Sequence, residues 1–433
     1  MRKVIVQKFG GTSVADTNKI KNVARTVIRE KENGNDVVVV VSAMGHTTDY
    51  LVKMARDLSP NPSGREMDML LSTGEGVSIA LLAMAIQAQG YDAVSFNAMQ
   101  IGIMTENVHS KARIVDIKTD KLRQNLKDGK IIVVAGFQGV TEDGEITTLG
   151  RGGSDTSAVA LAAALNAERC DIYTDVEGVY TTDPRVVPNA SKLDEISYEE
   201  MLELAHAGAN VLHPRSVETA KQFNVPLRVR SSFKLDNLGT LILGVDKMEI
   251  YKPVAGVASD LSQTRIVVCD VPDKPGVAAK LFGKLAKENI SVDMIIQSYA
   301  RKVSNTNDIA FTIDTADLTK TVTALEALKN EIGASGDIQV NDNIAKISIV
   351  GAGMIDRPGV ASTMFETLAE QGINIRMIST SEIKISCLVD KEDAQRAVKA
   401  LHKVFELESD EVAEVKGLSL IHISEPTRRS YIS

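Results

Sequence analysis

The sequence predicts an α/β protein: an open, mainly parallel sheet with helices on both faces, followed by two small modules of like construction. Short β-branched runs alternate with longer helical patterns up to about residue 240. Several of these runs are apolar throughout, as expected of strands covered on both faces. The motif Asp273-Lys-Pro-Gly-Val-Ala278 then returns as Asp356-Arg-Pro-Gly-Val-Ala361, which marks an internal repeat.

In chain order, Val4–Gln7, Val37–Ser42, Ala93–Phe96, Lys130–Gly136, Asp171–Thr174 and Val225–Val229 read as strands. Helical periodicity falls on Asn18–Lys31, Gly76–Gln89, Ser110–Lys127, Asp155–Asn166, Tyr198–Ala207 and Ser216–Phe223. The repeat keeps register beyond its motif. Phe282 meets Phe365, Leu285 meets Leu368, Ile290 meets Ile373 and Met294 meets Met377. Each copy reads as a strand, a D-x-P-G turn, a helix and a strand rich in Ile and Met. Two copies are too few for a solenoid, so a pair of modules packed on each other is expected. The division is 1–245, 246–340 and 341–416. The aperiodic tail 417–433 reads as a non-native or disordered extension and is left out of the fold.

Composition narrows the function. With 433 residues, 44% hydrophobic and 24% charged, the chain has the make-up of a multidomain globular protein. A net charge of −8 argues against broad nucleic-acid binding, which needs clustered Lys and Arg. Cys170, Cys269 and Cys387 are far apart and set in apolar runs, so free thiols in a reducing compartment are expected. The six histidines show no metal-ligand spacing. The N-terminus runs straight into a strand, and no apolar run reaches the roughly 18 residues of a membrane span. A cytoplasmic protein is expected.

Two glycine-rich segments carry phosphate chemistry. Lys8-Phe9-Gly10-Gly11-Thr12-Ser13 ends a strand and precedes a helix. Its paired glycines let backbone N–H groups approach a phosphate, and Lys8 can neutralise charge on a transferred phosphoryl group. The lysine precedes the glycines, so this is not a P-loop. In Leu149-Gly-Arg-Gly-Gly-Ser-Asp155-Thr-Ser157, three glycines surround an arginine and run into a helix N-terminus, a favourable anion site. Arg151 can grip a carboxylate or phosphate with both nitrogens. Asp155 could cap that helix or hold Lys8 in place. A third segment, Tyr173–Tyr180 followed by Asp183-Pro-Arg185, makes a loop able to hold a nucleotide. Ser42-Ala-Met-Gly45 reads as a strand end and turn, and Ser72-Thr-Gly-Glu75 as a capping-like entry to the helix after Gly76.

Together, KFGGTSV, SAMGHTTD, STGEGVS, TTLGRGGSDTSA, YTDVEGVYTTDPR, HPRSVE, and SDLSQTRIVV followed by DKPG resemble the amino-acid kinase family, and within it the aspartate kinases. The resemblance runs in order from residue 3 to about residue 415. It implies the amino-acid kinase fold, followed by two ferredoxin-like ACT modules. It also implies ATP-dependent phosphorylation of the L-aspartate side-chain carboxylate, the first step towards lysine, threonine and methionine. Lys8, Gly10, Gly11 and Ser13 would hold the ATP phosphates, and Asp155 would organise Lys8. Thr174, Asp175, Tyr180, Asp183 and Arg185 would surround the nucleotide, with Arg230 and Ser231 as further contacts. Thr48, Glu75 and Arg151 would bind aspartate, and Ser42 and Ser154 would line the junction of the two substrates. Mg²⁺ would ride on ATP oxygens, with no protein ligand. Lysine and threonine would be the effectors, held by Asp273, Ala279 and Gln297 of the first ACT copy and Val360, Asn374, Ile375 and Ser381 of the second. Pairing of ACT modules would give a homo-oligomer, or a hetero-oligomer with an internally initiated ACT-containing subunit. One departure is Asn210, where the family commonly has lysine. The competing readings are an amino-acid kinase for another acceptor and a non-catalytic amino-acid sensor.

Overall fold

The computed structural model describes residues 2–209, 211–244, 252–298, 305–355 and 357–409. Asn210, Asp356 and the tail 417–433 lie outside the described residues. So does the expected boundary at 245/246. The described residues up to 244 form one compact unit, and those from 252 to 408 form another.

The first unit is built on eight strands: β1 (Val4–Phe9), β2 (Asp36–Val41), β3 (Ala93–Phe96), β4 (Ile131–Ala135), β5 (Arg169–Thr174), β6 (Glu195–Ser197), β7 (Leu227–Ser231) and β8 (Thr240–Leu243). Their order is β6-β8-β7-β5-β1-β2-β4-β3. Every pairing is parallel except β7 with β8. From β1 the sheet grows through β2 on one side and β5 on the other. The carboxyl ends of β1, β2, β4 and β5 therefore meet at a topological switch point, where open α/β sheets bind ligands. β2 is DVVVVV and β4 is IIVVA, and their valines and isoleucines are fully buried. Such strands need a cover on each face.

Helix α1 (Thr17–Glu32) supplies part of that cover. Asp16 caps it by accepting from the Lys19 N–H at 2.9 Å. Ile20, Val23, Ala24, Val27 and Ile28 form one apolar stripe against Phe9, Val37, Val39 and Val41. Helices α2 (Thr47–Leu58), α3 (Gly64–Leu71) and α4 (Thr73–Gln87) follow β2. Together α3 and α4 make a stretch long and apolar enough by composition to cross a membrane. This contrasts with the sequence expectation, because four charged residues cluster in the stretch's first half. In the fold, Ile79, Leu82 and Ile86 of α4 are core residues packed with α1. Helices α5 (Gly153–Leu165), α6 (Tyr198–His206) and α7 (Pro214–Phe223) complete the unit's main helices.

The expected helix over 110–127 is a helix only from Asp120 to Lys127. Its first half holds strand Ile114–Ile117, part of a small separate sheet with Ile103–Thr105, Gln138–Val140 and Ile146–Thr148. The last three are three residues each, too short for alternation to register. Helices α2 and α3, and strands β6 and β8, were likewise absent from the sequence reading.

The second unit holds two four-stranded antiparallel sheets, each with two helices. One sheet takes Val292–Gln297, Thr306–Asp314, Gln263–Pro272 and Ile338–Asn341 in that order. The other takes Gly256–Asp260, Ile344–Val350, Lys384–Asp390 and Met377–Thr380. Gly256–Asp260, assigned from sequence to the first module, is therefore an edge strand of the second. The repeat is structural. Gly276 and Gly359 both take positive φ, +92° and +101°, at the start of equivalent helices. Leu285 and Leu368, Ile290 and Ile373, and Met294 and Met377 are buried in pairs. Met294, Ile344, Met377 and Leu388 cluster across the two modules, beside an ion pair of 2.7 Å from Lys346 to Asp293.

Candidate active site

At the end of β1 the chain turns through Gly10 and Gly11 into a short 3₁₀ turn. Gly11 is dictated by close approach, since a Cβ there would lie 2.7 Å from the carbonyl oxygen of Ala43 after β2. Lys8, one step before the turn, forms an ion pair of 2.6 Å with Asp155, and both side chains are largely buried. Asp155 is in the first turn of α5, whose N-cap is Gly152 with no side-chain cap. The capping reading of Asp155 is thereby replaced. Its carboxylate holds Lys8, and the uncapped α5 N-terminus keeps backbone donors for an anion.

The neighbouring strand ends close the site. Ser42, after β2, donates its hydroxyl to Ser154 of α5 at 3.0 Å. Ser154 also lies against Gly136 after β4, where a Cβ would come within 2.8 Å of it. Glu75, on the first turn of α4, accepts from the Ala43 N–H at 3.2 Å. Its Oε2 is buried without a hydrogen-bond partner. Burial pushes the Glu75 carboxyl up to about 7, against the pull of backbone hydrogen bonds. A buried, half-satisfied carboxylate is suited to a ligand cation. α4 begins at Thr73, so Glu75 is inside the helix. Ser72 bonds the Met69 carbonyl instead of capping. Thr48 is half-buried at the start of α2, and Ser13 bonds Ser232 at 2.6 Å.

Arg151 is exposed on the turn between two glycines of positive φ, Gly150 at +77° and Gly152 at +67°. A Cβ on Gly152 would strike the His213 ring at 2.3 Å. Arg215 fixes the approach to this turn, donating to the Leu149 carbonyl at 2.8 Å and the Ala112 carbonyl at 2.6 Å. Fully buried Asp68 ties the preceding strand, accepting from Thr148 Oγ1 at 2.5 Å, Ser110 N–H at 2.9 Å and His109 at 2.8 Å. The sequence reading gave these residues no roles. HPRSVE held His213 and Arg215 in plain view, but only the fold puts them under the glycine turn.

The nucleotide candidates divide. Thr174 ends β5, beside β1, and Asp175 follows it, with Thr174 Oγ1 3.0 Å from the Asp175 carboxylate. Tyr180 is half-buried, and burial raises its hydroxyl pKa. Asp183 and Arg185 form a bidentate pair at 2.9 and 2.5 Å. Ser231 is buried and accepts from the N–H groups of Phe233 and Lys234. Arg230 is not with Lys8. In register, Lys8 faces Ile172 and Val229, whereas Arg230 aligns with Phe9 and Tyr173 on the opposite face. The effector candidates sit in the second unit. Asp273, Ala279, Gln297, Asn374 and Ser381 are exposed, Ile375 is half-buried and Val360 is buried. No cluster of His, Cys, Asp or Glu among the described residues is fit to hold a metal.

Residues 3–231 match the amino acid kinase family, and residues 264–333 and 347–405 match ACT domains. An aspartokinase of Geobacillus stearothermophilus is 54% identical over 414 residues, 96% of this chain and 100% of that protein. The chain belongs to the aspartokinases, a branch of the amino acid kinase family. Aspartokinase 2 of Bacillus subtilis is also 54% identical, over 93% of this chain and 98% of its own length. Among solved structures, E. coli aspartokinase III in complex with aspartate and ADP is 30% identical with a TM-score of 0.78, covering 93% of this chain and 99% of its own. The same enzyme in complex with lysine and aspartate gives 0.71, at 92% and 99%. As a member of this family, the chain is an ATP-using kinase that phosphorylates aspartate. The readings as a kinase for another acceptor and as a non-catalytic sensor are set aside.

Proposed function

We propose that phosphoryl transfer takes place between Lys8, Ser42, Ser154 and the α5 N-terminus, yielding 4-phospho-L-aspartate. The observation that carries this reading is the largely buried 2.6 Å Lys8–Asp155 pair at the sheet's switch point. The acceptor carboxylate has a reference pKa of about 3.9 and is ionised at neutral pH, so no general base is needed. The task is to bring two anions in line. Lys8 neutralises the γ-phosphoryl oxygens, while Gly10, Gly11 and Ser13 give the phosphates a close backbone cradle. Asp155 keeps Lys8 extended towards them. Mg²⁺ brought with ATP would supply further charge neutralisation. Thr174, Asp175, Tyr180, Asp183 and Arg185 enclose the nucleoside, with Ser231 shaping the turn behind it. Arg230, on the other face of the sheet, takes no part in this site.

Glu75 receives the α-ammonium group of aspartate on its unpartnered oxygen, Arg151 takes the α-carboxylate, and Thr48 closes the pocket. The ACT pair binds lysine and threonine through the D-x-P-G turns and the residues after Ile290 and Ile373. The lysine complex of the E. coli relative supports the first effector. ACT pairing makes the enzyme an oligomer, either of identical chains or with an internally initiated ACT subunit. The expected division at 246–340 and 341–416 is shifted by one strand, since Gly256–Asp260 pairs in the second module. Free, buried Cys170 and Cys387 fit a reducing cytoplasm.

Trapping the acyl phosphate with hydroxylamine tests the assignment. Wild type should give aspartate hydroxamate with ATP and aspartate. Arg151→Ala should need at least about tenfold more aspartate, because a charge-assisted fork is lost. Unchanged aspartate dependence in that variant would remove Arg151 from the pocket.

A further inference from the structure

On the α1 side of the first unit's sheet, β5 and β7 do not read as covered strands. Arg169, Asp171 and Tyr173 of β5 align with Arg228 and Arg230 of β7, so charged residues line a face that is uncharged on β1 to β4. They floor a cavity of about 350 Å³, walled by Arg29 and Glu30 of α1, by Asn33 just after it, and by Leu235 and Leu238. That volume is at the lower end for small-molecule sites, which run from about 300 to 1,000 Å³.

The charges do not close. Arg169 is paired with Glu30 at 3.1 Å and with fully buried Asp171 at 3.0 Å. Arg29 reaches exposed Asp236 at 3.3 Å. Arg230 bonds the Leu235 carbonyl at 2.8 Å and Tyr173 Oη at 3.3 Å, and its buried Nε has no hydrogen-bond partner. The Arg228 side chain, on a strand paired on both sides, has no ion pair or hydrogen bond among the described residues. Four guanidinium groups therefore face three carboxylates, one of them at the rim. Burial also raises the Asp171 carboxyl pKa, against the pull of Arg169, Arg230 and Arg228. Partly buried guanidinium groups without partners are costly unless an anion joins them.

We propose that this cavity is a second ligand site, separate from the phosphoryl-transfer site, that takes a small multivalent oxyanion on Arg228 and Arg230. Planar guanidinium forks match phosphate and carboxylate alike, so a phosphate ester and a polycarboxylate share the chemistry. The site has a route to catalysis. Arg230 lies over the Tyr173 ring, 5.5 Å from its centroid, and Tyr173 stacks on Phe9 at 4.4 Å, one residue before the Gly10–Gly11 turn.

The test titrates the full chain by calorimetry, with pyrophosphate as the phosphate probe and citrate as the carboxylate probe, in Mg²⁺-free buffer with excess ADP. At least one probe should bind saturably at millimolar concentration or below, and which one binds identifies the ligand's anionic group. Arg228→Ala should weaken that binding roughly tenfold, the loss of one charged hydrogen bond. Leu238→Glu, at an exposed wall position, should do the same without removing any core contact. Lys8→Ala should leave it within about twofold, because Lys8 is on the opposite face. The proposal is overturned if neither probe binds, if Arg228→Ala and Leu238→Glu both bind like wild type, or if Lys8→Ala abolishes binding.

Discussion

Lys8 and Glu75 are both buried ionisable groups, yet their surroundings give them opposite tasks. Lys8 has a carboxylate at 2.6 Å, which holds it in the position proposed for contact with the phosphoryl group. Replacing it by Ala should lower turnover by at least about 10²-fold, the usual loss when one preorganised electrostatic contact is removed. The fold should persist with a lower melting temperature, since Asp155 loses its partner. Near-normal turnover in a folded variant would take Lys8 out of the mechanism. Glu75 has no counter-charge, and burial holds its carboxyl at about 7 instead of 4.5. The folded chain thus binds a proton that the unfolded chain has released. Stability from this group is present below about 4.5, falls as pH rises to about 7, and then levels off. Aspartate binding should have the opposite trend if Glu75 receives the ammonium group as proposed, because that contact needs the ionised form. Wild-type kcat/KM for aspartate should rise through about pH 7, with that limb absent in Glu75→Gln. An identical profile in the variant would assign the titration elsewhere.

Among elements, the turn from Leu149 to Gly153 depends on parts far away in sequence. Gly150 and Gly152 supply positive φ, but the turn's position is set by Arg215 on α7 and by buried Asp68 on α3. Arg215→Ala removes two hydrogen bonds to backbone carbonyls, worth about 1.5–3 kcal/mol each for a charged donor. It should raise KM for aspartate severalfold through Arg151 while changing kcat less. Arg215→Lys, with one ammonium in place of the fork, should recover only part of the loss. A fall in kcat alone would place Arg215 outside aspartate positioning. The glycine pattern itself was legible in the sequence, because three glycines beside an arginine exceed what a helix start requires. Its supports were not, since a buried Asp and a surface-like Arg carry no local signature.

For the whole molecule, the question is how an effector bound by the ACT pair alters turnover at Lys8. The two copies share their D-x-P-G turns but differ at the positions proposed to face the ligand, with Gln297 in one and Asn374 and Ser381 in the other. Two unlike pockets that favour one inactive arrangement add their differential binding energies. Lysine and threonine together should therefore inhibit more strongly than the product of their separate effects. Asn374→Ala should relieve inhibition and leave uninhibited turnover unchanged. A two-dimensional titration of both amino acids on both proteins checks this. Inhibition no greater than the separate effects predict would defeat the synergy, and an unrelieved variant would remove Asn374 from the pocket.

Sequence alone determined the α/β class, the core strands β1 to β5 and β7 and the duplicated D-x-P-G module, and it singled out Lys8 and Asp155, which the fold pairs. Each rests on local chemistry: apolar runs of strand length, proline and glycine turns, and glycines around a cation. Tertiary structure decided what depends on pairing between distant segments. It gave Gly256–Asp260 to the second module, because an edge strand joins whichever sheet offers free backbone groups. It put Arg230 on the face opposite Lys8, because the period-two alternation of strands fixes sides only once register is set. The three-residue strands of the small sheet form for the same reason: their partners, more than their own residues, hold them.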